Sequence, residues 1–162
     1  MAILFLSIRI TSQEPTVHPT RVLINLDAFH HNMRIVRDRV GNDVRIMAVV
    51  KANAYGHGIE TIAREAIAAG APYLGVARVE EGIALRQAGI LAPTLLFEVV
   101  PPEMIERTIL NDIDLTVCTH DEVERIESVA ERLGRPAKVH VKIDTGMGRL
   151  GCDWRNAVSF TE

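Results

Sequence analysis

From Arg21 onward, short β-branched apolar runs alternate with stretches of helical periodicity. That alternation is the pattern of βα units built on a parallel sheet. Strands are expected near Val22–Leu26, Arg45–Val50, Tyr73–Ala77, Thr94–Phe97, Leu115–Cys118 and Lys138–Ile143. Helical patterns fill the gaps. The first opens at Asp27, whose carboxylate can accept a first-turn N–H, and runs to about Val40 before Gly41. The second, Ile59–Ala69, sets Ile62, Ala63, Ala66 and Ile67 on one face and stops at Gly70. Val79–Ala88 ends at Gly89, Pro101 to Glu103 start a helix over Met104–Leu110, and Asp121–Leu133 closes at Gly134 and Pro136.

From Arg45 the strands recur at intervals of about 20 to 28 residues, each repeat being one right-handed βα unit. A barrel and an open doubly wound sheet can both be built this way. The first βα turn, K-A-N-A-Y-G-H-G over Lys51–Gly58, is not the G-x-G-x-x-G dinucleotide fingerprint, which favours the barrel. A complete eight-stranded barrel needs roughly 200 to 250 residues. The fold expected for 162 residues is therefore α/β, a partial (β/α)8 TIM-type barrel of about five strands over 21–162. Its first and last barrel strands, Arg45–Val50 and Lys138–Ile143, would each present an unpaired edge. Residues 1–20 are expected to form an extension and linker, with the Pro-containing stretch Thr11–Thr20 leading into the barrel. The apolar run Met1–Ile10 carries Arg9, lacks a basic flank and reaches no small-residue cleavage site, so no signal peptide is expected. It is also too short to span a bilayer.

Composition narrows the partners. A content of 48% hydrophobic and 24% charged residues is that of a globular domain rather than a disordered or low-complexity chain. A net charge of −3 with no basic stripe, and only 4% aromatic residues, argues against nucleic acid, anionic membrane and base stacking. Two cysteines, Cys118 and Cys152, make no disulfide framework and show no metal-ligand spacing, which fits a reducing cytoplasm and no metal site.

The candidate chemistry sits at strand ends. Lys51 follows the apolar run Met47–Val50, on the C-terminal face where barrels hold their sites. Partial desolvation there favours a neutral amine able to form a Schiff base; the plainer reading is a lysine snorkelling out of a strand end. Behind it, Tyr55 can donate its hydroxyl to an anion such as phosphate, beside the free N–H groups of the helix starting near Ile59. Alternatively, Tyr55 packs on the barrel rim and His57 is a turn residue. The second constellation is V-K-I-D-T-G-M-G-R-L-G over Val141–Gly151. Strand alternation would put Lys142 and Asp144 on one side, while Gly146 and Gly148 form a turn that aims Arg149 inward as a fixed cation. A structural turn with a surface arginine is the competing reading.

The segments V-V-K-A-N-A-Y-G-H-G (Val49–Gly58) and K-I-D-T-G-M-G-R-L-G (Lys142–Gly151), supported by L-D-A-F-H-H-N (Leu26–Asn32), closely resemble alanine racemase. The resemblance covers about Arg21–Gly151 and implies a barrel-type pyridoxal-phosphate enzyme that interconverts L- and D-alanine for bacterial cell-wall synthesis. By that resemblance Lys51 holds the cofactor and is one of two proton carriers at Cα, and Tyr55 contacts the phosphate. Arg149 lies beside the cofactor phenolate and the substrate carboxylate. Lys142 matches the lysine, often carbamylated, that orients this arginine, and the Met147 backbone lines the substrate pocket across the dimer. The family's second base, a tyrosine of the partner's C-terminal β-domain, falls beyond Glu162. The resemblance therefore implies a truncated barrel portion, weak or inactive alone, of a homodimeric family. Two other readings are a non-catalytic pyridoxal-phosphate homeostasis protein and a fragment of a serine or broad-specificity racemase. A third is a partner-dependent fragment completed through the exposed sheet edges.

Overall fold

Five parallel strands form one sheet whose spatial order is the chain order, β1 (Met47–Val49), β2 (Tyr73–Val76), β3 (Thr94–Val99), β4 (Asp114–Val117) and β5 (Val139–Val141). This is the arc of a (β/α) barrel, seen in a computed structural model that describes residues 22–161. The expected extension over 1–20 lies outside the described residues. As anticipated, β1 and β5 occupy the two edges. A short parallel pair, β6 (Ile143–Asp144) and β7 (Cys152–Asp153), stands apart from the main sheet.

The helices are α1 (Leu26–Val40), α2 (Lys51–Tyr55), α3 (Ile59–Ala68), α4 (Val79–Gln87), α5 (Ile105–Leu110), α6 (His120–Leu133) and α7 (Ala157–Thr161). No helix among the described residues is long and apolar enough to cross a membrane.

Alternation along each strand sorts side chains onto two faces. One face carries Leu74, Val76, Leu96, Leu115 and Val117, each at most 1% exposed, in one cluster with Ile62 and Ala63 of α3, Ile83 and Leu85 of α4, Ile105 and Ile109 of α5 and Ile126 of α6. Burial beneath helices explains why these strands read as near-continuous apolar runs. Gly82 exists for this contact, since a Cβ there would lie 2.5 Å from Ile113 Cδ1.

The other face is the barrel interior, where registers align Tyr73 with Met47, Gly75 with Val49 and Leu95, and Thr116 with His140. The Phe97 ring lies over Gly75, where a Cβ would be 2.4 Å from Phe97 Cζ. At the N-terminal end of this face the Tyr73 hydroxyl donates to Asp114, and His140 Nε2 lies 3.3 Å from the same carboxylate. Burial first, then the hydrogen bond and charge of Asp114, push the Tyr73 phenol up to about 12, with Arg45 opposing. Because the folded value lies above the ordinary one, the contribution of Tyr73 to stability is complete below about pH 10. It is lost as pH rises through about 12. Phenolate absorbance during an alkaline titration should show Tyr73 ionising near that value, and ionisation near 10 would contradict the buried pairing.

Three expected boundaries differ. No strand forms over Val22–Leu26; helix α1 begins at Leu26, and its cap is Asn25, whose Oδ1 accepts the Ala28 N–H at 2.9 Å, rather than Asp27. Strand β1 is shorter than Arg45–Val50. The strand expected over Lys138–Ile143 is interrupted at Lys142, whose N–H donates to the Val117 carbonyl while its own carbonyl accepts the Cys152 N–H, both at 2.9 Å. Lys142 is thus the joint between the two sheets. Strand alternation with Asp144 does not apply across it.

Candidate functional site

Lys51 directly follows β1 and the fully buried Val50. The chain then turns left-handed: Ala52, Asn53, Ala54 and Tyr55 all have φ between 51° and 55°. Such a conformation costs L residues roughly 1–2 kcal/mol each. Local hydrogen bonds offset it. The Ala54 N–H donates to the Val50 carbonyl at 2.8 Å, and the Gly58 N–H to the Asn53 carbonyl at 3.0 Å. Asn53 Oδ1 accepts the Ile59 N–H at 2.8 Å, and His57 Nδ1 lies 2.8 Å from the Ala54 carbonyl. Across the strand gap, Glu81 Oε1 accepts the Ala52 N–H at 2.5 Å. Backbone strain of this kind clusters at binding and catalytic sites, which makes the segment after Lys51 a candidate.

The second constellation is a closed loop between β6 and β7. Asp144 accepts the N–H of Gly146 at 2.9 Å and of Gly148 at 2.8 Å. The Gly146 N–H, helped by those of Gly148 and Met147, holds the Asp144 carboxyl below its ordinary range against a smaller opposing desolvation. Gly151, with φ 126°, lets the returning chain touch β6, because a Cβ there would lie 2.6 Å from the Asp144 backbone nitrogen.

These two segments meet in an open cleft of about 430 Å³ at the C-terminal strand ends, lined by Lys51, Ala77, Phe97, Glu98, Arg149 and Leu150 among others. Lys51 and Arg149, each expected on the C-terminal face, both line this cleft. The remaining candidates lie elsewhere. Tyr55 is 61% exposed and faces a separate hollow of about 390 Å³ with Asn25, Phe29 and His57. Met147 is 73% exposed and does not line the cleft. Lys142 is half-buried beside Cys118, whose thiol is pushed up first by burial and then by Glu122. The N–H of Ile59, expected to be free for an anion, is taken by Asn53. Among the described residues no group of three His, Cys, Asp or Glu side chains could hold a metal ion.

Sequence reasoning missed Phe97, Glu98 and Glu81. A signal for Glu81 exists in the spacing: Glu81 lies four residues after Ala77, as Glu122 does after Cys118, and each accepts N–H groups at its strand end.

A parallel (β/α) arc with its lysine and arginine converging at the C-terminal strand ends defines the barrel class whose sites sit on that face. Within that class the chain belongs to the alanine racemase family, since residues 24–162 match the family model described as alanine racemase, N-terminal domain. It is 44% identical over 135 residues to alanine racemase 2 of Caldanaerobacter subterraneus subsp. tengcongensis, covering 83% of this chain and 35% of that protein. With the alanine racemase of Desulforamulus reducens it shares 46% over 128 residues, 79% of this chain and 35% of the relative. The alanine racemase structure of Clostridium difficile 630 superposes with a TM-score of 0.74 at 41% identity, covering 80% of this chain and 33% of that one. A histidine racemase from Leuconostoc mesenteroides subsp. sake superposes at 0.76 with 28% identity, covering 82% and 36%. The chain thus spans about a third of the length of these relatives.

Proposed function

We propose that this chain carries the cofactor-lysine side of a pyridoxal-phosphate-dependent racemase that interconverts L- and D-alanine. The observation that carries the reading is the convergence of Lys51 and Arg149 on one cleft. The cleft's chemistry suits the group, with a primary amine for the aldehyde, a guanidinium for the phenolate or a carboxylate, and the Phe97 ring as an apolar wall. When bound, pyridoxal phosphate supplies an electron sink for the carbanion at the amino acid's Cα.

Lys51 holds the cofactor by its amine and moves a proton at Cα on its own side. Arg149 stays cationic throughout and orients the carboxylate, while Lys142, at the sheet joint, supports the segment that leads to it. Tyr55, which lines the separate hollow, is assigned to the phosphate, and the Met147 backbone to the substrate pocket across a homodimer. Racemisation needs a second base on the opposite face, so the chain alone is expected to be weak or inactive. The proposed setting is cytoplasmic, with D-alanine serving peptidoglycan synthesis. A broader amino-acid racemase is the second reading, supported by the likeness to the histidine racemase.

The chain has only three lysines, Lys51, Lys138 and Lys142. Mixing it with pyridoxal phosphate, reducing with borohydride and mapping the adduct by peptide mass should place the label on Lys51. Even labelling of the three, or none, overturns the cofactor reading. The same preparation given L-alanine should form little D-alanine, and robust formation overturns the expectation of weak activity.

A further inference from the structure

We propose that Glu81 is a positioning residue for Lys51, its carboxylate clamping the left-handed turn that begins at Ala52; this rests on the reading of Lys51 as the cofactor lysine. Glu81 is half-buried in the first turn of α4 and uses both oxygens. Oε2 accepts the N–H of Ala77 at 2.9 Å and of Arg78 at 3.1 Å, closing the link from β2 into α4. Oε1 reaches across to the N–H of Ala52 at 2.5 Å. One rigid, two-oxygen group thereby ties the end of β2 to the residue that follows Lys51.

The molecule contains its own comparison. Glu122 occupies the equivalent place two units later, and its Oε2 accepts the N–H of Cys118 at 2.6 Å and of Thr119 at 3.2 Å. That is what capping of a βα link alone requires, and one oxygen suffices. The second oxygen of Glu81 does something more. Its partner is the first of four successive residues held at positive φ, the costliest stretch of backbone in the site. A hydrogen bond to an ionised carboxylate is stronger than one between neutral groups, and this one acts on the peptide linking Lys51 to the turn. Without it, relaxation of Ala52 toward negative φ would rotate that peptide and redirect Lys51 away from Arg149. The carboxylate touches no reacting atom. It fixes where the amine points.

The test compares the full chain with E81Q and E122Q. Glutamine keeps the shape but offers one acceptor oxygen, so E81Q cannot serve both Ala52 and the β2 link. Amide hydrogen exchange, measured without cofactor, should rise about tenfold or more over Ala52–Tyr55 in E81Q, the scale of one lost bond to a charged group. Protection in β2 to β4 should stay as in the parent, which reports an intact fold. Borohydride trapping with pyridoxal phosphate should then show the ratio of Lys51 to Lys138 adduct falling by a similar factor. E122Q should alter neither readout. Unchanged exchange at Ala52 in E81Q, or an equal effect from E122Q, overturns the proposal. Even labelling of the three lysines in the parent chain overturns instead the cofactor reading, while the exchange measurement still decides whether the clamp exists.

Discussion

Lys51→Ala is expected to remove the reducible pyridoxal phosphate adduct from this site and leave the fold standing. Lys51 is half-buried, and the turn that follows it is held by backbone bonds that alanine retains. The Val50 N–H donates to the Gly75 carbonyl at 2.8 Å, the Ala54 N–H to the Val50 carbonyl at 2.8 Å and the Ala52 N–H to Glu81 at 2.5 Å. Loss of a half-buried side chain away from a packed core changes stability by about 0.5 kcal/mol or less. Lys138 and Lys142 remain as internal standards for ordinary amine reactivity, so labelling should drop to their level. Quantitative peptide mapping beside a thermal melt checks both halves of the expectation. Retained labelling concentrated on Lys142 would transfer the cofactor role to the joint between the two sheets.

Leu115→Ala carries the largest expected cost to stability, about 3–4 kcal/mol. Leu115 is fully buried at the centre of β4, a strand in which every residue is buried, and its neighbours on the same face are held by helices on one side and paired strands on both edges. Such a site cannot collapse around the missing atoms, so a cavity term adds to the lost transfer energy. For a chain of this size the melting temperature should fall by about 10 °C. Leu91→Ala, at a residue 78% exposed, is the matched control and should stay within about 0.5 kcal/mol. Denaturant unfolding of the two variants measures the difference, and a loss below about 1 kcal/mol for Leu115 would contradict its place in the core.

The sheet was legible because its information is local. Runs such as Leu74–Val76 and Leu95–Phe97 carry no polar side chain on either face, and Gly70, Gly89 and Gly134 punctuate the helices before the next strand. The run from Val22 misled because its β-branched character competes with a stronger signal, the Asn25 carboxamide that caps α1. The strand at Lys138–Ile143 misled because nothing in its composition reveals that Lys142 must bond two different strands. Strand-end position and glycine placement singled out Lys51 and Arg149, and both line the cleft. The left-handed turn was not legible, since alanine and tyrosine have no preference for positive φ and it is held by bonds that involve Glu81, Asn53, Val50, Gly56 and His57. Tyr55 is directed to its separate hollow by that same turn.

The agreement between strand order and chain order has a bearing on how the molecule is assembled during synthesis. Each of β2 to β5 pairs with the strand that precedes it in the chain, so every βα unit meets a finished docking edge as it leaves the ribosome. Chain delivery at about 5–20 residues per second gives each unit of some twenty-odd residues a second or more to settle, far longer than hairpin or helix formation takes. Growth can proceed by accretion at one edge, with no strand inserted between two already joined. The order of translation is then also the order in which the sheet is laid down.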